Sequence, residues 1–318
     1  MQYRRLGHSG LAVSEIGLGS WLTLGSKLDS QASRQIIRRA FDLGVNLFDT
    51  ADVYADGAAE VELGRALEGL PRRQLVIASK CFFPASDRAN DHGLSRKHLF
   101  ESVEESLRRL RVEYLDLHQC HRWDPGTPID ETVRAYEDLI HQGKLLYWGV
   151  SQWTSKQIEQ ACRSAERHGA FQPVSSQPEY SILRRNLESD IAATCIREGL
   201  SQIVFSPLAQ GVLSGKYAGG TRAADSRAAD AERSVWMTDL LEPAALERVE
   251  ALSAIAKELN VSMAQLAIAW CLREPNVASA IVGVTNTSQL EHNVAASGLS
   301  IPHALTAKID QLFPAPAA

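Results

Sequence analysis

Short apolar runs alternate with longer amphipathic segments along nearly the whole chain. The runs are SEIGLGSW (14–21), VNLFDTA (45–51), LVIASK (75–80), YLDLHQCH (114–121), LLYWGVSQ (145–152), PVSSQPEY (173–180), SQIVFSPL (201–208) and ASAIVGV (278–284). Their length and apolar or β-branched content predict eight strands. Between them, segments such as 31–43, 58–69, 95–109, 130–142 and 154–168 carry apolar residues at i, i+3 and i+4, the helical spacing. Asp29 or Ser30, Ser95 and Thr154 stand where N-caps are needed. Eight strands repeating at about 30 residues with helices between them predict a parallel sheet, and eight is the number that closes a (β/α)8 TIM barrel. No break in composition marks a second domain, so one barrel domain is expected over 1–318. YRRLGHSGLAV predicts two short strands around His8-Ser9-Gly10, an N-terminal β-hairpin over 1–13 that plugs the lower end of the barrel. One long irregular insertion, 211–241, follows the seventh strand and contains AGGTRAADSRAADAERS. Insertions of that length in a compact domain are usually functional or disordered.

Composition narrows the function classes. The 318 residues hold 33 Lys+Arg against 38 Asp+Glu, a net charge of −5 with no basic block. That removes the main reason to expect nucleic acid or an anionic membrane as partner. The five cysteines, Cys81, Cys120, Cys162, Cys195 and Cys271, are odd in number, far apart and free of any C-x-x-C pair. They fit a reducing compartment better than a disulfide scaffold or a structural zinc site. The stretch MQYRRLGHSG has no apolar signal region, and no run of about 18 apolar residues occurs. A cytoplasmic protein without membrane insertion is expected.

In such a barrel the reactive groups gather at the C-terminal ends of the strands. Asp49, Lys80, His121, Ser151, Gln152, Gln177 and Ser206 all fall at or just beyond predicted strand ends. Asp49 and Tyr54 after the second strand, Lys80 after the third and His121 after the fourth are able to meet at one mouth. A phenol has a pKa of about 10. A neighbouring ammonium is expected to lower it, and a carboxylate holds that ammonium charged and in place. The group then suits protonation of a developing alkoxide. It offers no nucleophile or metal site, so the other half of the reaction falls to a cofactor. His118 is the decoy: strand alternation turns it away from His121 and toward the helices or the core.

These residues lie in segments that resemble the aldo-keto reductase family over essentially the whole chain: GLGSWLTLG (17–25), FDTADVY (48–54), SK (79–80), GLSRKHL (93–99), YLDLHQCHRWD (114–124), GVSQW (149–153), FSPLAQGVLSGKY (205–217) and IVGVTNTSQLEHN (281–293). GLGSWLTLG, GLSRKHL and SPLAQGVLSGKY further resemble the branch with the potassium-channel β subunits and their bacterial relatives. The resemblance implies reduction of aldehydes, extending to ketones, by hydride transfer from NADPH. Tyr54 would be the proton donor, Lys80 would lower its pKa, Asp49 would pair with Lys80, and His121 would orient the carbonyl. The channel β subunits carry Asn where this chain has His121, so here the reductase tetrad is complete. The alternative implied by the same branch is an NADPH-sensing regulatory subunit with weak residual activity. Tetramers and octamers in that branch point to a homo-oligomer.

The family binds NADPH without a Rossmann fold, and GLGS (17–20) lacks the third glycine of a dinucleotide fingerprint. By the resemblance, Ser151, Gln152 and Gln177 would hold the nicotinamide carboxamide and Phe205 would stack on its ring. Ser20 and Trp21 would lie near nicotinamide and substrate, with Trp123 also at the substrate. Ser206, Pro207, Leu208, Ala209, Gln210 and Ser214, with Gly283 and Thr285, would surround the ribose and pyrophosphate. Lys216 and Arg227 would read the 2′-phosphate, making the long insertion a cofactor clasp. Gln289, His292 and Asn293 would surround the adenosine. Three positions depart from the family pattern: Gln152 replaces Asn, Phe205 replaces Tyr or Trp, and RWD (122–124) replaces RPD. Trp21, Phe82, Phe83 and Trp123 are expected to form an aromatic entrance for apolar or aromatic carbonyl compounds.

Overall fold

The structure, a computed structural model, describes residues 1–217, 227–229 and 234–316. Strands β1 (Tyr3–Arg5) and β2 (Ala12–Ser14) form an antiparallel hairpin, so the predicted hairpin runs one residue further than 1–13. The barrel strands are β3 (Ile16–Gly19), β4 (Leu47–Asp49), β5 (Val76–Cys81), β6 (Leu115–Cys120), β7 (Leu145–Ser151), β8 (Ser175–Gln177), β9 (Ser201–Phe205) and β10 (Val277–Val282). All are parallel to their neighbours and close in the order β10-β3-β4-β5-β6-β7-β8-β9. Each of the eight predicted strands is present. The sixth is trimmed from 173–180 to three residues because Pro173 and Pro178 have no N–H to give the ladder.

Helices α1 (Ser30–Asp42), α2 (Ala58–Leu67), α3 (Arg96–Leu110), α4 (Ile129–His141), α5 (Ser155–His168) and α6 (Ile191–Glu198) fill the first six crossovers. The seventh carries α7 (Pro243–Glu258) and α8 (Met263–Leu272), and α9 (Thr287–Val294) and α10 (His303–Leu312) follow the last strand. The caps are local chemistry: Asp29 accepts from Ala32 N, Ser95 from His98 N, and Thr154 shares a reciprocal capping box with Gln157. The 211–241 insertion contributes short 3-10 turns at Arg227–Ala229, Ser234–Met237 and Asp239–Leu241. Most of its low-complexity stretch, and the Arg227 side chain, lie outside the described residues.

Two apolar clusters follow from strand alternation. The larger lies between the outer face of the barrel and the helices. The smaller fills the barrel itself and joins Leu47, Val76, Ala78, Leu117 and Ile203 to Leu6 and Val13 of the hairpin region. Leu6 and Val13 are fully buried there, and Gly7 N donates to Ser201 Oγ at 2.8 Å, so the hairpin stoppers the end where β9 begins. Close strand approach has its own requirement: a Cβ on Gly149 would lie 2.1 Å from Ser175 Oγ, so glycine alone fits β7 against β8 there. Among the described residues, no helix is long and apolar enough to cross a membrane.

Candidate active site

Val76 and Ala78 face into the barrel, so period-2 alternation also sends Lys80 inward, at the C-terminal end of β5. Its side chain is fully buried. Lys80 Nζ donates to Asp49 Oδ1 at 2.6 Å and to the Thr50 carbonyl at 2.7 Å. The other carboxylate oxygen, Asp49 Oδ2, accepts from Gln177 Nε2 at 2.9 Å. Tyr54 begins a tight turn (Tyr54–Gly57) in which Ala55, Asp56 and Gly57 have φ of 50°, 51° and 84°. Lys80 Nζ lies 5.2 Å from the Tyr54 ring centroid. His121 follows β6 directly and is buried, its N–H donating to Cys81 O at 3.0 Å. Its ring meets Tyr54 edge-on at 5.6 Å. The four residues expected to meet are therefore in one place.

Their electrostatics differ from the expectation in one respect. Burial pushes the Tyr54 phenol upward, and the charge of Lys80 opposes that shift without overcoming it. The expected net lowering is not found, because desolvation of a phenolate outweighs one ammonium already shared with Asp49. Burial also disfavours the charged Lys80, but Asp49 and Tyr54 outweigh it and hold the ammonium above its ordinary value. His121 is pushed well below the usual imidazole range by burial, then by the charges of Lys80 and Arg122, so it is neutral. Its Nδ1 is buried with no hydrogen-bond partner. His118 points the other way, as alternation requires: its Nδ1 meets Tyr136 Oη on α4 at 2.9 Å, and burial pushes its pKa down to about 3.

Ser20, Trp21, Ser151, Gln152, Gln177, Phe205 and Ser206 stand at or just beyond the C-terminal ends of barrel strands. Ser151 Oγ donates to the Gln177 carbonyl at 2.9 Å, while the Gln177 amide is engaged with Asp49. Gln152 is exposed at φ 57°, a left-handed position that Asn tolerates better than Gln. Ser20 sits beyond β3 with its N–H on Asp49 O at 2.9 Å and its Oγ buried without a partner. Trp21 beside it is half-buried, as is Phe205 at the end of β9. Immediately after β9, Ser206, Ala209 and Gln210 have φ of 55°, 46° and 59°, flanking buried Pro207 and half-buried Leu208. Gln210 Nε2 donates to Ser206 Oγ at 2.8 Å and Ser214 Oγ to Gly211 O at 2.7 Å. Non-glycine residues held left-handed cost about 1–3 kcal/mol each and concentrate at ligand sites. Lys216 is exposed, its Nζ 5.0 Å from the Tyr217 ring centroid. Gly283 is exposed, and a Cβ there would meet nothing within 4 Å. Thr285 N donates to Gln289 Oε1 at 2.9 Å, and His292 Nε2 pairs with Ser262 Oγ at 2.7 Å. Asn293 is buried.

The expected aromatic entrance divides in two. Phe83 stands edge-on to His121 at 4.9 Å and to Phe82 at 5.3 Å. Trp123 instead packs edge-on against buried Trp153 at 4.7 Å. Two features escaped the sequence reading. Arg122 lies over Phe83, with its Cζ 5.3 Å from the ring centroid, and donates to His121 O at 2.6 Å. Behind the mouth, Asp52 and Glu60 form a buried polar pocket with Ser79, Ser102 and Arg109. Their signals were present: Asp52 lies inside FDTADVY, and Arg122 adjoins His121.

With this geometry in view, similarity to known proteins becomes informative. The sequence model of the Aldo/keto reductase family matches residues 15–313. A probable voltage-gated potassium channel subunit beta of Oryza sativa subsp. japonica is 44% identical over 298 residues, covering 93% of this chain and 91% of the relative. A protein of the same description from Arabidopsis thaliana is 43% identical over 299 residues, covering 93% and 91%. A putative voltage-gated potassium channel subunit beta of Schizosaccharomyces pombe is 39% identical over 302 residues, covering 92% and 87%. The closed barrel, the residues at its mouth and a match of this extent together make the chain a member of the aldo/keto reductase family.

Proposed function

We propose that this protein is an NADPH-dependent reductase of aldehydes and ketones, with Tyr54 as proton donor. The observation that carries the reading is the fully buried Lys80–Asp49 ion pair set against a protonated Tyr54 and a neutral His121. The rim is compatible with a nicotinamide cofactor: Ser20 Oγ is buried and unpartnered, Gly283 faces open space, and the turn after β9 holds Ser206, Ala209 and Gln210 at positive φ. Ser151, Gln152, Gln177 and Phe205 would hold the nicotinamide, and Lys216 with Arg227 would favour a 2′-phosphate. When bound, NADPH supplies the hydride. The remaining work belongs to the protein. Neutral His121 donates an N–H to the carbonyl oxygen and fixes its direction. Tyr54 passes its proton to that oxygen as negative charge develops on it. Lys80 stabilises the phenolate left behind, and Asp49 keeps Lys80 charged and aimed. The free, buried cysteines suit a reducing, cytoplasmic setting.

The test is NADPH oxidation against a panel of aldehydes and ketones, with Tyr54→Phe beside the wild type. Turnover is expected to fall by roughly 10²–10⁴-fold, the usual worth of a positioned acid, with NADPH affinity nearly unchanged. A Tyr54→Phe variant as active as the wild type would refute the assignment. The names of the relatives, channel subunits, favour a second reading, a regulatory subunit that senses NADPH and assembles as a homo-oligomer. Tight NADPH binding with no carbonyl compound turned over would support it.

A further inference from the structure

Arg122 is a cation in an unusual setting. It adjoins His121, is half-buried, and lies over Phe83, whose ring is edge-on to His121. Its charge is felt at both Tyr54 and His121. One guanidinium nitrogen is committed, donating to the His121 carbonyl at 2.6 Å. Among the described residues, no carboxylate forms an ion pair with it. The acid nearest in sequence, Asp124, is spent on its own loop: its oxygens accept from Leu94 N at 2.8 Å, Gly126 N at 2.8 Å and Thr127 Oγ1 at 2.7 Å. The charges at the mouth then sum simply. Lys80 and Asp49 cancel, Tyr54 and His121 are neutral, and Arg122 leaves one positive charge beside the acid.

A half-buried guanidinium loses hydration, and its forked N–H donors match a carboxylate in geometry and charge. We propose that Arg122 receives an anionic group of the substrate, so that the site prefers carbonyl compounds bearing a carboxylate over neutral ones of the same shape. This rests on the reading of the mouth as a carbonyl-reducing site. It also makes the entrance mixed in character: Phe82 and Phe83 supply an apolar wall, and Arg122 supplies the charge that selects along it.

The experiment compares ortho-, meta- and para-formylbenzoate with the formylbenzamides of the same substitution, which keep the shape and lose the charge. For the wild type, kcat/KM is expected to favour at least one carboxylate isomer over its amide by roughly tenfold or more. Arg122→Gln should lower kcat/KM for that isomer by roughly 10- to 100-fold, the range of a charge-assisted hydrogen bond, and leave its amide within about threefold. Arg122→Lys should retain part of the preference, since it keeps the charge and loses the fork. Equal losses on acid and amide would mean that Arg122 acts on Tyr54 or on the fold, and would overturn the proposal. Binding of the corresponding hydroxymethylbenzoate, followed by calorimetry, separates this from the reductase reading. If no aldehyde is reduced, that reading fails, while the anion site stands when binding weakens in Arg122→Gln and falls when it does not.

Discussion

The two faces of β5 and β6 carry similar chemistry and put it to different ends. Toward the barrel mouth stand Lys80 and His121; toward the helices stand Ser79, Cys81, His118 and Cys120. Both sides are buried and both hold groups with displaced pKa values. On the helix side the polar groups are wired to neighbouring elements. Ser79 Oγ donates to Glu60 Oε1 of α2 at 2.5 Å, and Arg109 Nε of α3 reaches Glu60 Oε2 at 2.6 Å. Ser102 Oγ of α3 donates to Asp52 Oδ2 at 2.9 Å, and His118 meets Tyr136 of α4. At the mouth, Asp49 and Lys80 are held just as firmly, but Tyr54 is part-exposed, and in the proposed reading its hydroxyl and His121 meet a carbonyl compound. A perturbed titration therefore marks function only when the group opens onto space for a reactant.

That contrast is open to test from its strongest consequence down. Lys80→Met should lower carbonyl reduction by roughly 10²–10⁴-fold, measured as NADPH oxidation. Normal turnover in that variant would remove the mouth from the chemistry. Glu60→Ala, on the other face, should cost about 2–3 kcal/mol of stability in a denaturant titration, since it removes the charge-assisted bond to Arg109, which keeps only the longer pair with Glu105 at 3.6 Å, and leaves the buried Ser79 hydroxyl without its acceptor. Its kcat, measured on the folded fraction, should be close to that of the wild type; a collapse of kcat with stability intact would erase the distinction between the faces.

Acidification separates two groups of the helix side by sign. Burial, reinforced by Glu60, raises Asp52 to about 7 from 3.8, and its Oδ1 is buried without a partner although the residue is part-exposed. Its stabilising protonation is complete below pH 3.8 and is lost as pH rises through 7. Asp52→Asn removes that contribution, so between pH 8 and pH 5 the variant should fall behind the wild type's own pH response by roughly 2–3 kcal/mol. His118 works in the opposite sense. Its folded-state value of about 3 lies below the ordinary 6.5, so its contribution is intact above pH 6.5 and drains as pH falls toward 3. His118→Gln should accordingly resist a shift from pH 7 to pH 5 better than the wild type by about 2 kcal/mol. Parallel pH curves for wild type and variant would contradict either account.

Much of this was legible in the chain because it depends on periodicity. The eight strands and the opposed directions of His118 and His121 are consequences of alternation, and the caps at Asp29, Ser95 and Thr154 are local hydrogen bonds. The meeting of Asp49, Tyr54, Lys80 and His121 required only that neighbouring strand ends converge. What stayed hidden depends on balances or on distant partners. The direction of the Tyr54 shift is a contest between desolvation and one shared ammonium, which no motif weighs. Gln177 reads as a cofactor ligand, yet its amide meets Asp49 through register around the ring. Glu60 looks like a surface helix acid until α3 delivers Arg109 to it.

The bond from Gln177 to Asp49 has a mechanical meaning. In the closed ring β4 and β8 are diametrically opposite, with three strands between them on either side. A 2.9 Å hydrogen bond between their ends is thus a strut across the full bore, and one of its two footings is the carboxylate that aims the ammonium. Any breathing that ovalises the cylinder must stretch this strut or drag Asp49 with it. Such stiffness gives the residues of the proposed site a fixed bed and leaves adaptation to the loops above.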